Sequence, residues 1–110
     1  MTKNFMYDDF SDRLMISCNE GDVVGSLRFL NLNIDFLSGN KIANIELIKA
    51  SSYLKSIGIN PRILESLNQA KIMFKPCRNG YLIYFILKAG KNIERIPYNI
   101  QAIEKPLLIQ

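Results

Sequence analysis

Apolar and polar residues alternate over most of the chain with the two-residue period of half-buried strands. Phe5 to Tyr7 and Leu14 to Cys18 predict two short strands around the polar turn Asp8-Asp9-Phe10-Ser11-Asp12, and Asn19-Glu20-Gly21-Asp22 marks a further turn. A third strand is predicted from about Ser26 to Leu37, with a bend, and a fourth from Lys41 to Lys49. A two-residue turn at Gly39-Asn40 sets their register. It places Leu32, Ile34 and Phe36 opposite Leu47, Ile45 and Ala43 on one apolar face. On the other face Asp35 lies opposite Asn44, and Asn33 opposite Glu46. A one-residue slip mixes the two sets, so the pattern itself selects the pairing.

The period changes after Lys49. Ala50 to Gly58 predicts one or two helical turns, capped by a serine and ended by Gly58. Asn60-Pro61 opens a second helix, with Asn60 as N-cap and Ile63, Leu64 and Leu67 on one side, ending near Gln69 or Ala70. Strand alternation then returns. Lys71 to Arg78 and Tyr81 to Lys88 flank Asn79-Gly80, a strong hairpin signal. With that turn Ile72, Phe74 and Pro76 meet Leu87, Phe85 and Ile83. The other face pairs Lys71 with Lys88, Met73 with Ile86, Lys75 with Tyr84 and Cys77 with Leu82. A last strand, Ile93 to Ile100, sets Ile96, Tyr98 and Ile100 on one side, and Pro97 predicts that it lies at an edge.

These elements predict an α+β fold, a mostly antiparallel β-sheet built from two β-hairpin regions with one or two short helices between them. The 110 residues are read as a single domain, with a hairpin half (5–54) and a helix-plus-meander half (55–110). Hydrophobic residues make up 48% of the chain, enough for a core. No apolar run reaches the roughly 18–20 residues of a membrane helix, and charge arrives early at Lys3, Asp8 and Asp9, unlike a signal peptide. A cytoplasmic protein is expected. Cys18 and Cys77 lack metal-type spacing and are expected as small buried hydrophobes.

Histidine is absent, which excludes histidine-based triads, Cys–His nucleophile pairs and histidine-ligated metals. Gly21-Asp22-Val23-Val24-Gly25 lacks the Lys-Ser/Thr of a phosphate loop. Charge is uneven. Residues 1–48 carry four basic against seven acidic side chains, net −3, and residues 49–110 carry ten against three, net +7. The acidic half can therefore attract the basic half, within one chain or between two, and the basic half can attract an anionic partner.

Tyr7-Asp8, then Asp12 with Leu14 and Ile16, then Asp35, Gly39, Ile42, Ile45, Glu46 and Ala50-Ser51, resemble the uncharacterised domain-of-unknown-function family 2283 over residues 5–54. Asn44 stands where that family commonly has glycine, and Leu37-Ser38 where its turn is more acidic. The resemblance brings no established activity. It implies at most an antitoxin-like role beside a toxin-like partner.

Two candidate sites follow. The first is a polar face of Asn33, Asp35, Asn44 and Glu46, joined by Asp8 and Asp12, where paired carboxylates can bind a divalent cation or act as acid and base. An ordinary solvated sheet face fits the same pattern. The second is the mixed face of the C-terminal meander, with Lys71, Lys75 and Lys88 around Met73, Leu82, Tyr84 and Ile86, and Arg78 and Arg95 nearby. It suits a subunit interface, a plain solvated or internally covered face whose lysines block edge pairing, or an anion-binding face for nucleic acid. The leading expectation is a non-catalytic, homodimeric interaction module without a cofactor. A nucleic-acid-binding or antitoxin-like protein comes second, and a carboxylate-based enzyme using Asp35 and Glu46 third. The apolar tail Pro106 to Gln110 is read as packing on the core or on a neighbour.

Overall fold

The structure, a computed structural model, describes residues 4–39 and 41–101. Eight strands form two antiparallel sheets. The first has five strands: β1 (Phe5–Asp8), β2 (Arg13–Ser17), β3 (Gly25–Phe29), β4 (Leu32–Leu37) and β5 (Lys41–Ile48), in the order β1-β2-β5-β4-β3. A helix, α1 (Ala50–Ser56), and a 3-10 turn (Pro61–Glu65) lead to the second sheet of β6 (Gln69–Cys77), β7 (Gly80–Ala89) and β8 (Asn92–Gln101). The expected antiparallel α+β architecture is thus present as two sheets joined through short helical elements. Asn40 and the tail Pro106 to Gln110 lie outside the described residues.

Strand alternation builds the core directly. Across the first sheet, one row reads Tyr7, Leu14, Leu47, Leu32, Phe29 and the next reads Phe5, Ile16, Ile45, Ile34, Leu27. The second sheet contributes Ile72, Phe85 and Ile96 in one row and Phe74, Ile83 and Tyr98 in the next. Both sets belong to one apolar cluster, which Ala50, Leu54, Ile63, Leu64 and Leu67 complete. Phe36 meets Phe74 edge-on at 6.3 Å between ring centroids, joining the sheets. Each fully buried Leu, Ile or Phe side chain contributes about 1.5–3 kcal/mol, so this shared cluster is the main favourable term.

The order β2-β5-β4-β3 is a Greek key, and the loop from Cys18 to Val24 makes its long connection. A register shift in the β4–β5 pairing sits where that loop crosses. Asp35 pairs with Asn44, as expected, but Phe36 pairs with Ile42 and Leu37 with Lys41. The extra residue lies in β5, and the nearby carbonyls bond the loop. Ala43 accepts from the amides of Cys18 and Asn19, and Ile42 accepts from the Asn19 side chain at 2.7 Å. Gly21 (φ 149°) lets the loop close over Leu37, since a Cβ there would lie 3.2 Å from its methyl groups.

Four expectations are corrected. The single bent strand from Ser26 to Leu37 is a hairpin, β3–β4, turning at Leu30-Asn31. No Gly or Pro marks this turn. It is held from outside: the Asn31 side chain donates to the Ile48 carbonyl at 3.0 Å and accepts from the Tyr98 hydroxyl at 3.2 Å. The second helix is a single 3-10 turn; Asn60 caps it through the Arg62 amide, and β6 begins at Gln69. The β6–β7 register lies two residues from expectation, with Cys77 opposite Gly80 and Lys71 opposite Ile86. The tight turn is Arg78-Asn79, and the positive φ (151°) falls on Gly80 as the first residue of β7. A shift of two preserves which residues share a face. Finally, Cys18 and Cys77 are exposed free thiols, because one opens a surface loop and the other ends an outer sheet face. Pro97 does lie on an edge strand, as expected.

Leu30 holds φ at 54° with its side chain 73% exposed, so the turn carries a left-handed Leu that makes little use of its side chain. Leu30→Gly is expected to raise stability by about 0.5–1 kcal/mol, read as a higher urea midpoint at unchanged m-value.

Candidate functional site

The residues of the acidic lead-in do not work as one face. Asp12 turns away from it. The tight β1–β2 turn holds Asp12 at φ 56°, and this aims its carboxylate at Tyr7 and at the start of α1. Oδ1 accepts from the Tyr7 hydroxyl at 2.6 Å and from the Ser51 amide at 2.9 Å, and Oδ2 accepts from the Ser51 hydroxyl at 2.7 Å. The Asp12 carbonyl also accepts from the Ala50 amide at 2.9 Å. The helix is therefore capped from another strand. The residue at its own N-cap, Lys49, is left-handed and gives no side-chain bond, and no serine caps it as expected.

Burial pushes the Asp12 carboxyl up, but bonds from Tyr7, the Ser51 amide and hydroxyl and the Ser52 amide outweigh this and hold it below the usual carboxylate value. Burial, reinforced by the bond to Asp12, raises the Tyr7 hydroxyl to about 12. Asp8 serves its own turn, accepting from the Ser11 hydroxyl and the Phe10 amide, and these bonds lower its carboxyl. Tyr7, Asp12 and Ser51 therefore meet in one hydrogen-bonded staple.

Asn33, Asp35, Asn44 and Glu46 do share the outer face of the first sheet. They form direct cross-strand pairs: Asn33 donates to Glu46 at 3.2 Å, Asn44 to Asp35 at 3.4 Å, and Ser26 to Asp35 at 2.7 Å. Arg13 adds an ion pair to Glu46 at 3.1 Å. Each carboxylate is thus engaged by a donor from a neighbouring strand, which makes the row a polar ladder on a solvated sheet. Among the described residues no group of three or more Cys, Asp or Glu side chains is placed to hold a metal ion.

The second candidate face is assembled as expected. Lys71, Met73 and Lys75 of β6 and Leu82, Tyr84, Ile86 and Lys88 of β7 all lie on the outer side of the second sheet. The structure adds Ile93, Arg95 and Pro97 of β8, which alternate with the buried Ile96 and Tyr98. Sequence reasoning named Arg95 but left out Ile93, although the same alternation that exposed one side of β8 defined the other. Three cross-strand rows result: Lys71–Ile86–Arg95, Met73–Tyr84–Pro97, and Gln69–Lys88–Ile93. Met73 and Ile93 are 57% and 59% exposed, while Leu82, Tyr84 and Ile86 are half-buried along the central strand. An apolar stripe is thus bordered by cations on both sides.

No family model, curated protein or solved structure matches the chain. No helix among the described residues is long and apolar enough to cross a membrane.

Asp12 makes charge-assisted bonds worth about 1.5–3 kcal/mol each net of exchange with water. Asp12→Ala is expected to cost roughly 2–4 kcal/mol in chemical denaturation. Because the folded Asp12 pKa is depressed, its stabilisation is complete above the unfolded value near 3.8 and fades as pH falls through the lower folded value. The raised Tyr7 hydroxyl works in the opposite sense. Its contribution is complete below about pH 10 and is lost as pH rises through about 12. Stability-against-pH curves should flatten mainly on the acid limb in Asp12→Ala and mainly on the alkaline limb in Tyr7→Phe, and because the Tyr7–Asp12 bond contributes to both shifts each substitution should also reduce the other limb. Tyr98, whose hydroxyl is raised by burial and by Tyr53, keeps part of the alkaline limb in Tyr7→Phe. By contrast, Asp35→Asn and Glu46→Gln, at half-buried positions where the new amide keeps an acceptor oxygen, are expected to change stability by about 1 kcal/mol or less each.

Proposed function

We propose that this protein is a non-catalytic binding module whose working surface is the outer face of the second sheet. The observation that carries this reading is the contrast between the two outer faces. On the first sheet, polar side chains pair with one another across strands. On the second, a half-buried apolar stripe runs between Lys71 and Lys75 on one side and Arg95 on the other, with Lys88 in line with it. A surface of this kind, apolar at its centre and charged at its rim, is how binding interfaces are built.

Self-association is the second reading, favoured by the exposure of Met73 and Ile93 beside the stripe. A two-fold dimer through this face brings the cations of both copies toward one another, so it needs its lysines and arginine splayed to the rim. Tyr7, Asp12 and Ser51 serve one structural bond network, which assigns them a folding role rather than a binding one. We place the protein in a reducing compartment such as the cytoplasm, which suits two exposed free thiols.

Native mass spectrometry of gently purified protein tests the reading. A bound anionic molecule or a second copy is expected on the wild type and should be lost in Ile86→Glu, which places a carboxylate in the stripe. Asp35→Asn with Glu46→Gln should leave it in place. Loss caused by the ladder substitutions instead would overturn the assignment of the working surface.

A further inference from the structure

We infer that the outer face of the second sheet binds single-stranded nucleic acid, with Tyr84 as a stacking platform and Lys71, Lys75, Lys88 and Arg95 as phosphate contacts. This rests on the binding-face reading above and names the partner. The first argument is charge. Every charged residue on the outer positions of β6, β7 and β8, from Gln69 to Pro97, is a cation. Arg78 in the β6–β7 turn and Lys91 in the β7–β8 turn add cations at the two ends of the sheet. A second copy of the same face repeats this sign, whereas a polyanion complements it.

The second argument is the placement of apolar and aromatic groups among those cations. Tyr84 sits on the central strand, in the row Met73–Tyr84–Pro97, and is half-buried. Its cross-strand neighbours are one strand spacing away, about 4.8 Å. They are the unbranched thioether of Met73 and the compact, puckered ring of Pro97. The row on one side holds Lys71 and Arg95, and the row on the other holds Lys75. Lys71 and Lys75 are four residues apart on one strand, roughly 13 Å. A base laid on Tyr84 therefore has cations on both sides of it along the sheet and across it. Sequence-tolerant recognition of single strands uses this combination of stacking and backbone charge. A duplex keeps its bases stacked inside and gives Tyr84 nothing to stack on. An acidic polypeptide satisfies the cations but leaves the aromatic centre unused.

The test is fluorescence anisotropy with labelled RNA and DNA oligonucleotides of about 12 nucleotides, single-stranded and duplex, titrated between roughly 50 and 200 mM salt. Four phosphate contacts predict a slope of log K against log salt near −3 for single strands, roughly a 50-fold loss across that range. Tyr84→Leu keeps an apolar residue at the site and should weaken single-strand binding by roughly 5- to 150-fold, the loss of one stacked base. Tyr84→Phe should restore it. Lys75→Ala, at an exposed position, should reduce the slope by about 0.7. Equal affinity for the duplex, or no effect of Tyr84→Leu, overturns the inference. So does the absence of binding at the lowest salt, or displacement of the oligonucleotide by poly-glutamate at equal charge. If oligonucleotides fail while the wild type still carries a molecule that Ile86→Glu releases, the nucleic-acid inference falls and the binding face stands. If neither is seen, both fall.

Discussion

The carboxylate of Asp12 joins three parts of the chain that would otherwise meet only through apolar packing. It binds the Tyr7 hydroxyl on β1 and the Ser51 amide and hydroxyl at the start of α1, while its own carbonyl takes the Ala50 amide. A seven-residue helix is too short to be stable alone. Its existence depends on a cap at its N-terminus and on Ala50 and Leu54 entering the core. The cap comes from a residue 39 positions earlier, so the β1–β2 turn and the helix form together. Once α1 is fixed, the chain is directed to the 3-10 turn and then into the second sheet, where Tyr53 of the helix stacks on Tyr98 of β8 at 5.2 Å. Tyr98 in turn bonds Asn31 in the turn between β3 and β4. A short polar chain of contacts therefore runs from the edge of one sheet to the edge of the other, around a core made otherwise of aliphatic and aromatic side chains.

What could be read from the sequence depended on how local its cause was. The pairing of Leu32 to Asp35 with Asn44 to Leu47 was legible because each residue's polarity reports its face. So was the edge position of Pro97, since proline lacks the donor an interior strand needs. The β3–β4 hairpin was hidden because a leucine, Leu30, fills the left-handed position and Asn31 alone signals a turn, while bonds to Ile48 and Tyr98, distant in sequence, hold it. The β6–β7 register moved by two because Gly80 joins the strand rather than the turn. That error left both faces intact, since alternation fixes side and not position. Within the candidate site, membership of the C-terminal face was legible for the same reason. The true task of Asp12 was not, because sequence shows an acidic residue in a turn but not the helix start it reaches.

The two outer faces apply opposite solutions to one problem. A sheet with one side on the core must present its other side to water or to a partner. On the first sheet the centre of that side, across β3, β4 and β5, holds short polar groups that bond one another across the ladder, while Met6 and Met15 lie toward its β1 edge. The second places Leu82, Tyr84 and Ile86 along its middle strand, where burial by the neighbouring strands is only partial. Solubility alone is served by polar residues at those positions, as the first sheet demonstrates within the same chain. Mixing apolar side chains with lysine and arginine keeps such a surface hydrated. The exposed lysines Lys71 and Lys75 also guard the β6 edge against strand-to-strand association. The same charges can therefore keep the free protein from pairing edge to edge.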